Sequence, residues 1–323
     1  MTPSVGTDTL AEKMRWVDEK IRQVQRLEPG DSALRQAQQH LYAAQLAGGC
    51  GRWKPGHGSP RKSLRRDLYR HLLRAERSLD EIKGRQVRLE RSGLRGGIWL
   101  RSPDLTLLVD ASRGQLLELS DKAAECNLLD APRGGWVDHL LGVEATVKSF
   151  QKGKAPDLER PRKARLWRAR VSPNLQMTLT RRTHVGAGPD AATVEQKKSV
   201  TLPSRGRKLS FTHQIRNTSK GPLSLLYACE LNLNLKDVHV NRLGEVSGLR
   251  RFSVLDPALR LEVSWDFSEP ARIWYFPLET ETPPRERVYQ GVRLTFVWPV
   301  RLVSGRTWSL RWRMAIQGAD GRA

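Results

Sequence analysis

The chain has 323 residues, 38% of them hydrophobic, with ten tryptophans, six phenylalanines and five tyrosines. That aromatic content excludes a disordered basic tail and is enough apolar material for two packed domains. The formal net charge of +22 is uneven, with +9 in residues 51–100 and +13 in residues 151–220, a field that either favours polyanions or serves solubility.

Residues 1–15 lack the apolar core of a secretion signal, and no run approaches the roughly 18 apolar residues of a membrane span. Cys50, Cys126 and Cys229 stand far apart with no CxxC pair or His cluster, so neither a metal site nor a disulfide framework is expected, and no cofactor either. A soluble cytoplasmic protein, without membrane association, is the expectation.

In chain order, Leu10, Met14, Val17, Ile21, Val24 and Leu27 alternate steps of four and three, the stripe of an amphipathic helix, with Thr9 and Glu12 spaced as a capping box. Glu28-Pro29-Gly30-Asp31 stops it and caps a second helix, carried by Leu34, Ala37, Leu41 and Ala44 as far as Gly48-Gly49. Ser59-Pro60 caps a third, with an apolar stripe of Leu64, Leu68, Leu72, Ala75, Leu79 and Ile82 and arginines on its other faces. After Gly96-Gly97 the period changes to two. Residues 98–100, 105–109 and 116–119 are short apolar runs between turn signals, and alternation returns at Leu231, Leu233 and Leu235, at Leu294, Phe296 and Trp298, and at Trp308, Leu310, Trp312 and Met314. The pattern predicts an α+β chain: a small N-terminal helical bundle over 1–95, then a large antiparallel β-sandwich over 96–323. Polar, basic residues 151–165 are expected to form an exposed loop.

Several blocks carry a family resemblance. Residues 44–76, from Ala44-Gln45-Leu46 to Leu72-Leu73-Arg74-Ala75-Glu76, resemble the stretch after the catalytic barrel of family-57 glycoside hydrolases, the α-amylases and 4-α-glucanotransferases. Leu107-Leu108-Val109-Asp110-Ala111-Ser112-Arg113-Gly114 and Cys126-Asn127-Leu128-Leu129-Asp130 are similar to that family's entry into its sandwich. Glu230-Leu231-Asn232-Leu233, Ile273-Trp274-Tyr275-Phe276-Pro277, Arg287-Val288-Tyr289-Gln290-Gly291 and Trp298-Pro299 follow in the family's order. The resemblance spans residues 10–318 and implies a helical linker followed by a galactose mutarotase-like super-sandwich. At Trp53-Lys54-Pro55-Gly56-His57-Gly58, however, the family's glycine-rich loop is mostly absent. The family's barrel, which holds its glutamate nucleophile and aspartate acid, needs roughly 200 residues, and about 45 precede the match. No catalytic residue is transferred.

Candidate binding residues follow. Glu230, Asn232 and Asn234 share a strand face by period two, as a sugar groove or as a solvent-facing polar row. His239 or His213 is the partner for Glu230 if it does acid/base work as in related mutarotase-like sandwiches. Trp274 and Trp53 are candidates to stack on a sugar ring, with core as the alternative for Trp274. Arg65, Arg66, Arg70 and Arg74 crowd one helix, where like charges at i,i+4 repel, and imply docking on an acidic surface, either a partner or the chain's own residues 104–138. His57, His71 and His184 have no telling neighbours. The basic run 160–170, with Trp167, suits phosphates, a docking surface or a solvated face.

The expected function is therefore a non-catalytic α-glucan-binding or accessory protein of carbohydrate metabolism. The alternatives are a subunit of a split glycoside hydrolase that docks a separately encoded barrel, and a basic scaffold for nucleic acid or another polyanion.

Overall fold

The computed structural model describes residues 5–50, 62–83, 88–94, 96–129, 134–155, 157–159, 166–186, 191–236, 238, 243–282 and 286–318. They fall into two compact units: residues 1–110, 116–134 and 203–207 make the first, and 111–115, 135–202 and 208–323 the second.

The first unit holds α1 (Val5–Gln25), α2 (Ser32–Cys50) and α3 (Lys62–Lys83), then β1 (Arg88–Arg91), β2 (Gly97–Arg101), β3 (Leu105–Asp110), β4 (Gln115–Asp121) and β5 (Cys126–Asn127). Its strands run in the order β1-β2-β3-β4, with β5 on β4. The three predicted stripes form one core, in which Leu10, Val17, Ile21, Val24, Leu34, Leu41, Leu68, Leu72 and Leu79 pack with Trp99, Leu108 and Leu117 of the strands; Leu27, expected in the first stripe, lies beyond the end of α1 and is exposed. The break expected at residues 95–96 falls inside this unit, because those three strand side chains complete the helical core.

Two details at the helix ends differ from the sequence reading. α1 already includes Val5, so Thr9 lies inside the helix and no capping box forms there. Glu12 instead accepts from Ser92 Oγ at 2.5 Å and Gly93 N at 2.6 Å. α2 is capped by Asp31, whose Oδ1 accepts from Ala33 N at 2.6 Å, but it runs through Gly48-Gly49 to Cys50. The Ser59-Pro60 cap lies outside the described residues.

Beneath the helices sits an ion network that no local pattern announces. Glu76 of α3, fully buried, receives Lys13 at 2.6 Å, Arg101 at 2.8 Å, Lys122 at 3.0 Å and the Thr106 hydroxyl at 2.5 Å. Lys13 also meets Glu118 at 3.0 Å, while Asp80 binds Arg101 at 3.0 Å and Lys122 at 2.7 Å. Three cations thus face three carboxylates. Burial would raise the Glu76 carboxyl, yet Arg101, Lys122 and Lys13 hold it well below the usual carboxylate range.

The same unit accounts for part of the arginine crowding on α3. Arg74 and Arg77 reach Glu125 at 2.8 Å and 3.4 Å, and Arg70 pairs with Asp67 on its own helix at 2.9 Å. Arg65 is buried, so it cannot present its charge to a partner as expected. The acidic stretch therefore answers Arg74 and Arg77, not Arg66 and Arg70. Reversing both charges in Arg74→Glu/Arg77→Glu is expected to cost about 1–2 kcal/mol, since exposed pairs contribute little each. Thermal melts should show a larger fall for that variant than for Arg66→Glu/Arg70→Glu; equal melting temperatures would count against Glu125 as the anchor.

The second unit holds β6 (Gly135–Leu141), α4 (Val147–Gln151), β7 (Arg168–Val171), β8 (Gln176–Val185), β9 (Ala192–Thr201), β10 (Lys208–Asn217), β11 (Leu223–Leu233), β12 (Gly244–Asp256), β13 (Leu261–Thr282), β14 (Glu286–Leu302) and β15 (Thr307–Gly318). The antiparallel order is β6-β11-β14-β13-β15-β10-β9-β8-β7, with β12 on β13. Contacts between strands distant in that order show the sheet folding back on itself as a sandwich: Trp136 of β6 meets Phe211 of β10 at 5.6 Å, and Tyr227 of β11 meets Trp308 of β15 at 5.3 Å. Phe211 stacks on Trp312 at 3.8 Å. β8, β9, β10 and β15 alternate buried and open residues, the mark of one covered face, whereas β11 is buried almost throughout because both its faces are covered.

The loop expected at residues 151–165 is partly ordered. Asp157 bridges Leu141, and Glu159 bridges Val185 while binding Arg181 at 2.7 Å and Thr183 at 3.1 Å; residues 160–165 lie outside the described residues.

Candidate functional site

Glu230 and Asn232 do share a face of β11, but that face is covered. α4, capped by Thr146, lays Phe150 against the His139 ring at 5.1 Å and the Trp274 ring at 5.6 Å. Under this cover Glu230 Oε2 meets His139 Nε2 at 3.2 Å, Glu230 Oε1 accepts from Asn232 Nδ2 at 2.7 Å, and Asn232 Oδ1 accepts from Arg293 Nε at 2.9 Å. Asp157 lies 3.7 Å from His139 Nδ1. Burial opposes charge on both groups, but the hydrogen bonds and ion pairs win: His139 is raised to about 9 and Glu230 lowered to about 2. At neutral pH they form a locked imidazolium–carboxylate pair, the wrong poise for a proton shuttle, which needs a pKa near the working pH.

The partner of Glu230 is thus His139, not His213, and His239 lies outside the described residues. The two are 91 residues apart in sequence, and only the pairing of β6 with β11 brings them together. Asn234 is buried at the end of the row. Trp274 is also fully buried, with its Nε1 donating to Glu245 at 3.0 Å, so its ring belongs to the core and offers no face to a sugar. Trp53 and His57 lie outside the described residues.

A second polar network, unforeseen from sequence, fills the sandwich interior. Asp138 takes Lys198 at 2.7 Å and the Tyr227 hydroxyl at 2.6 Å. Trp136 Nε1 donates to His213 Nε2 at 3.1 Å, which leaves His213 Nδ1 facing the Tyr227 oxygen. Burial lowers His213 to about 3, so it stays neutral. Trp136 has φ +59 at a register shift between Glu230 and Leu231, a strained backbone for a bulky residue. Lys198 holds it, donating to the Trp136 carbonyl at 2.8 Å and lying 4.3 Å from its ring centre. Among the described residues no group of three or more His, Cys, Asp or Glu is placed to hold a metal.

Open space lies instead on the outer face of β7–β10 and β15. A hollow of about 410 Å³ there is lined by Arg168, Thr180, Arg182, Glu195, Lys197 and Gln214, with Arg216, Thr307 and the exposed Leu166 at its margin. Its floor follows from register. Arg168 pairs with Thr180, Thr180 with Lys197 and Lys197 with Gln214; one row on, Arg182 pairs with Glu195 and Glu195 with Arg216. Directly paired residues point to the same face, so these side chains stand together while Met177, Leu179, Val194 and Phe211 point inward. Trp167 does not line it openly: it is buried, with the Arg181 guanidinium 4.3 Å and Lys198 Nζ 5.0 Å from its ring centre. A second hollow of about 410 Å³ on the same face is lined by Ser210, Thr212, Asp266, Ser268, Arg311 and Arg313. Of the basic run at residues 160–170, Leu166 and Arg168 line the first hollow while residues 160–165 lie outside the described residues; the other positive charges lining the two hollows come from β8, β9, β10 and β15.

The sequence profile described as "Alpha-amylase/4-alpha-glucanotransferase, C-terminal" matches residues 130–312. In structure, the chain is similar to a 4-alpha-glucanotransferase from Thermococcus litoralis, with a TM-score of 0.76 at 17% identity, over 96% of this chain and 49% of that one. It therefore spans about half the length of that protein. A putative aldose 1-epimerase from Escherichia coli K12 matches at TM-score 0.47 and 9% identity, over 67% of this chain and 96% of its own. A galactose mutarotase-like protein from Lactobacillus casei ATCC 334 matches at 0.48 and 11%, over 69% and 100%. No curated protein matches the sequence, and among the described residues no helix is long and apolar enough to cross a membrane.

Proposed function

Because this chain belongs to the alpha-amylase/4-alpha-glucanotransferase C-terminal family, we propose that it is a non-catalytic α-glucan-binding or accessory module of carbohydrate metabolism. The observation that carries this reading is the hollow on the outer sheet face, large enough for sugar units and lined by Thr180, Glu195, Gln214 and Thr307, whose hydroxyl, carboxylate and amide groups pair naturally with sugar hydroxyls.

A hydrolytic role for the same hollow finds no support in its chemistry. Retaining glycosidases need two carboxyls about 5 Å apart across the bond, and Glu195 is the one acid among the described residues lining it. Titration calorimetry with maltoheptaose is expected to give saturable binding at a Kd of about 1 mM or tighter, roughly 4 kcal/mol, with no change in the oligosaccharide after incubation. Absence of heat with both maltoheptaose and soluble amylose would overturn the glucan reading, and turnover that survives repurification would overturn the non-catalytic one.

A further inference from the structure

We infer that the outer face of β7–β10 and β15 selects an α-glucan that carries phosphate monoesters, with the phosphate seated over Thr180 between Arg168, Arg182 and Lys197; this rests on the glucan reading above. The register places those groups. Arg168 and Lys197 stand on the strands either side of Thr180, and Arg182 is two residues along β8 on the same face, so neighbouring strands at about 4.8 Å spacing bring all three within reach of one phosphate. Among the described residues none of the three has an ion-pair partner. The acid on this floor, Glu195, stands across the strands from both Arg182 and Arg216 and lies 3.9 Å from Arg216, so the floor sets one negative charge against the positive ones of Arg168, Arg182, Lys197 and Arg216. Guanidinium groups bind phosphate with paired, charge-assisted hydrogen bonds, which gives such a cluster its preference for phosphate over a neutral hydroxyl.

The rest of the face suits a polyhydroxylated chain. Thr178 and Thr212 lie in one cross-strand row that ends on Arg311, beside Gln214 of the next row, with the buried Ser199 between them holding the Thr212 hydroxyl at 2.6 Å. The second hollow continues the path toward β13, with Arg311 and Arg313 of β15 and Asp266 of β13 in its lining, a net positive charge.

Other polyanions fit less well. Single-stranded nucleic acid is held by open aromatic faces on which bases stack, and on this face Trp167, Phe211 and Trp312 are all buried. A protein partner needs an apolar centre to its interface, and Leu166, 71% exposed, is the one large apolar side chain at the first hollow.

The test is a ratio. Affinities of the full chain for maltoheptaose, maltoheptaose 6-phosphate, inorganic polyphosphate and a poly-uridine oligonucleotide are measured at low and at physiological salt. The expected result is binding of the phosphorylated sugar about tenfold tighter than the neutral one, with the ratio falling as salt rises. Arg182→Gln/Lys197→Gln should bring it close to one, while Arg301→Gln, on an exposed position of β14, should leave it unchanged; melting temperatures report that each variant is folded. Equal affinity for the two sugars overturns this inference and leaves the glucan reading standing. Polyphosphate or poly-uridine binding as tightly as the phosphorylated sugar overturns it in favour of a general polyanion surface. No binding to either sugar defeats both readings.

Discussion

Glu76→Met is expected to lower the stability of the helical unit by about 3–5 kcal/mol, a large share of what a domain has. The side chain has no exposure and neutralises parts of three cations, Lys13, Arg101 and Lys122. Removing it leaves those three facing Glu118 and Asp80, one positive charge uncompensated where water does not reach. The penalty is that of an unpaired buried ion, far above the loss of a surface pair. The double variant Lys13→Met/Glu76→Met restores the balance, with Arg101 and Lys122 opposite Glu118 and Asp80, so it should recover part of the loss. Denaturant unfolding followed by the helical circular-dichroism signal measures both. A single variant within 1 kcal/mol of the parent, or a double variant worse than the sum of its singles, would show that the network is not held together by charge balance.

The second large effect is in pH. His139 is raised from its ordinary 6.5 to about 9 by Glu230 and Asp157 against the effect of burial; its contribution is full below 6.5 and is lost as pH rises through 9. His213 is lowered by burial from 6.5 to about 3, so the unfolded chain takes up a proton that the folded chain refuses. Its contribution is full above 6.5 and is lost as pH falls toward 3. Glu230, lowered from 4.5 to about 2, adds a loss as pH falls through that lower window. These groups together place a stability maximum near pH 6.5, with an alkaline decline on the order of 3 kcal/mol from His139. Unfolding midpoints of the parent and of His139→Gln, compared at pH 6.5, 8 and 9, isolate that limb. The variant should be less stable at pH 6.5 yet decline less above it. Parallel alkaline curves would assign the decline to other groups.

How much of this was legible in the chain depends on the range of each interaction. The helix stripes at Leu10–Val24 and Leu64–Leu79 and the alternation at residues 231–235, 294–298 and 308–314 are local periodicities, and each reappears as a helix or strand with the expected buried side. The family blocks likewise pointed to the sandwich. Helix starts were less secure: a Thr-x-x-Glu spacing is common inside helices, and Glu12 was recruited by Ser92 and Gly93, some 80 residues away.

The sites were the part that sequence could not place. Glu230 and Asn232 were chosen because period two puts them on one face, and they do share it. Period two says nothing about what covers that face, however, and Phe150 of α4 closes it. His139, Arg293, Glu76 and Lys198 gave no signal, because a buried ion reads in sequence as an ordinary surface charge until its partner from a distant strand is known. The same holds for the outer face: Arg168, Thr180, Arg182 and Lys197 become neighbours only through the register of β7, β8 and β9. Hydrophobic patterning, a property of consecutive residues, therefore determined the elements and their buried sides. The charge pairing and the hollows were decided by which strands the folded sheet sets side by side.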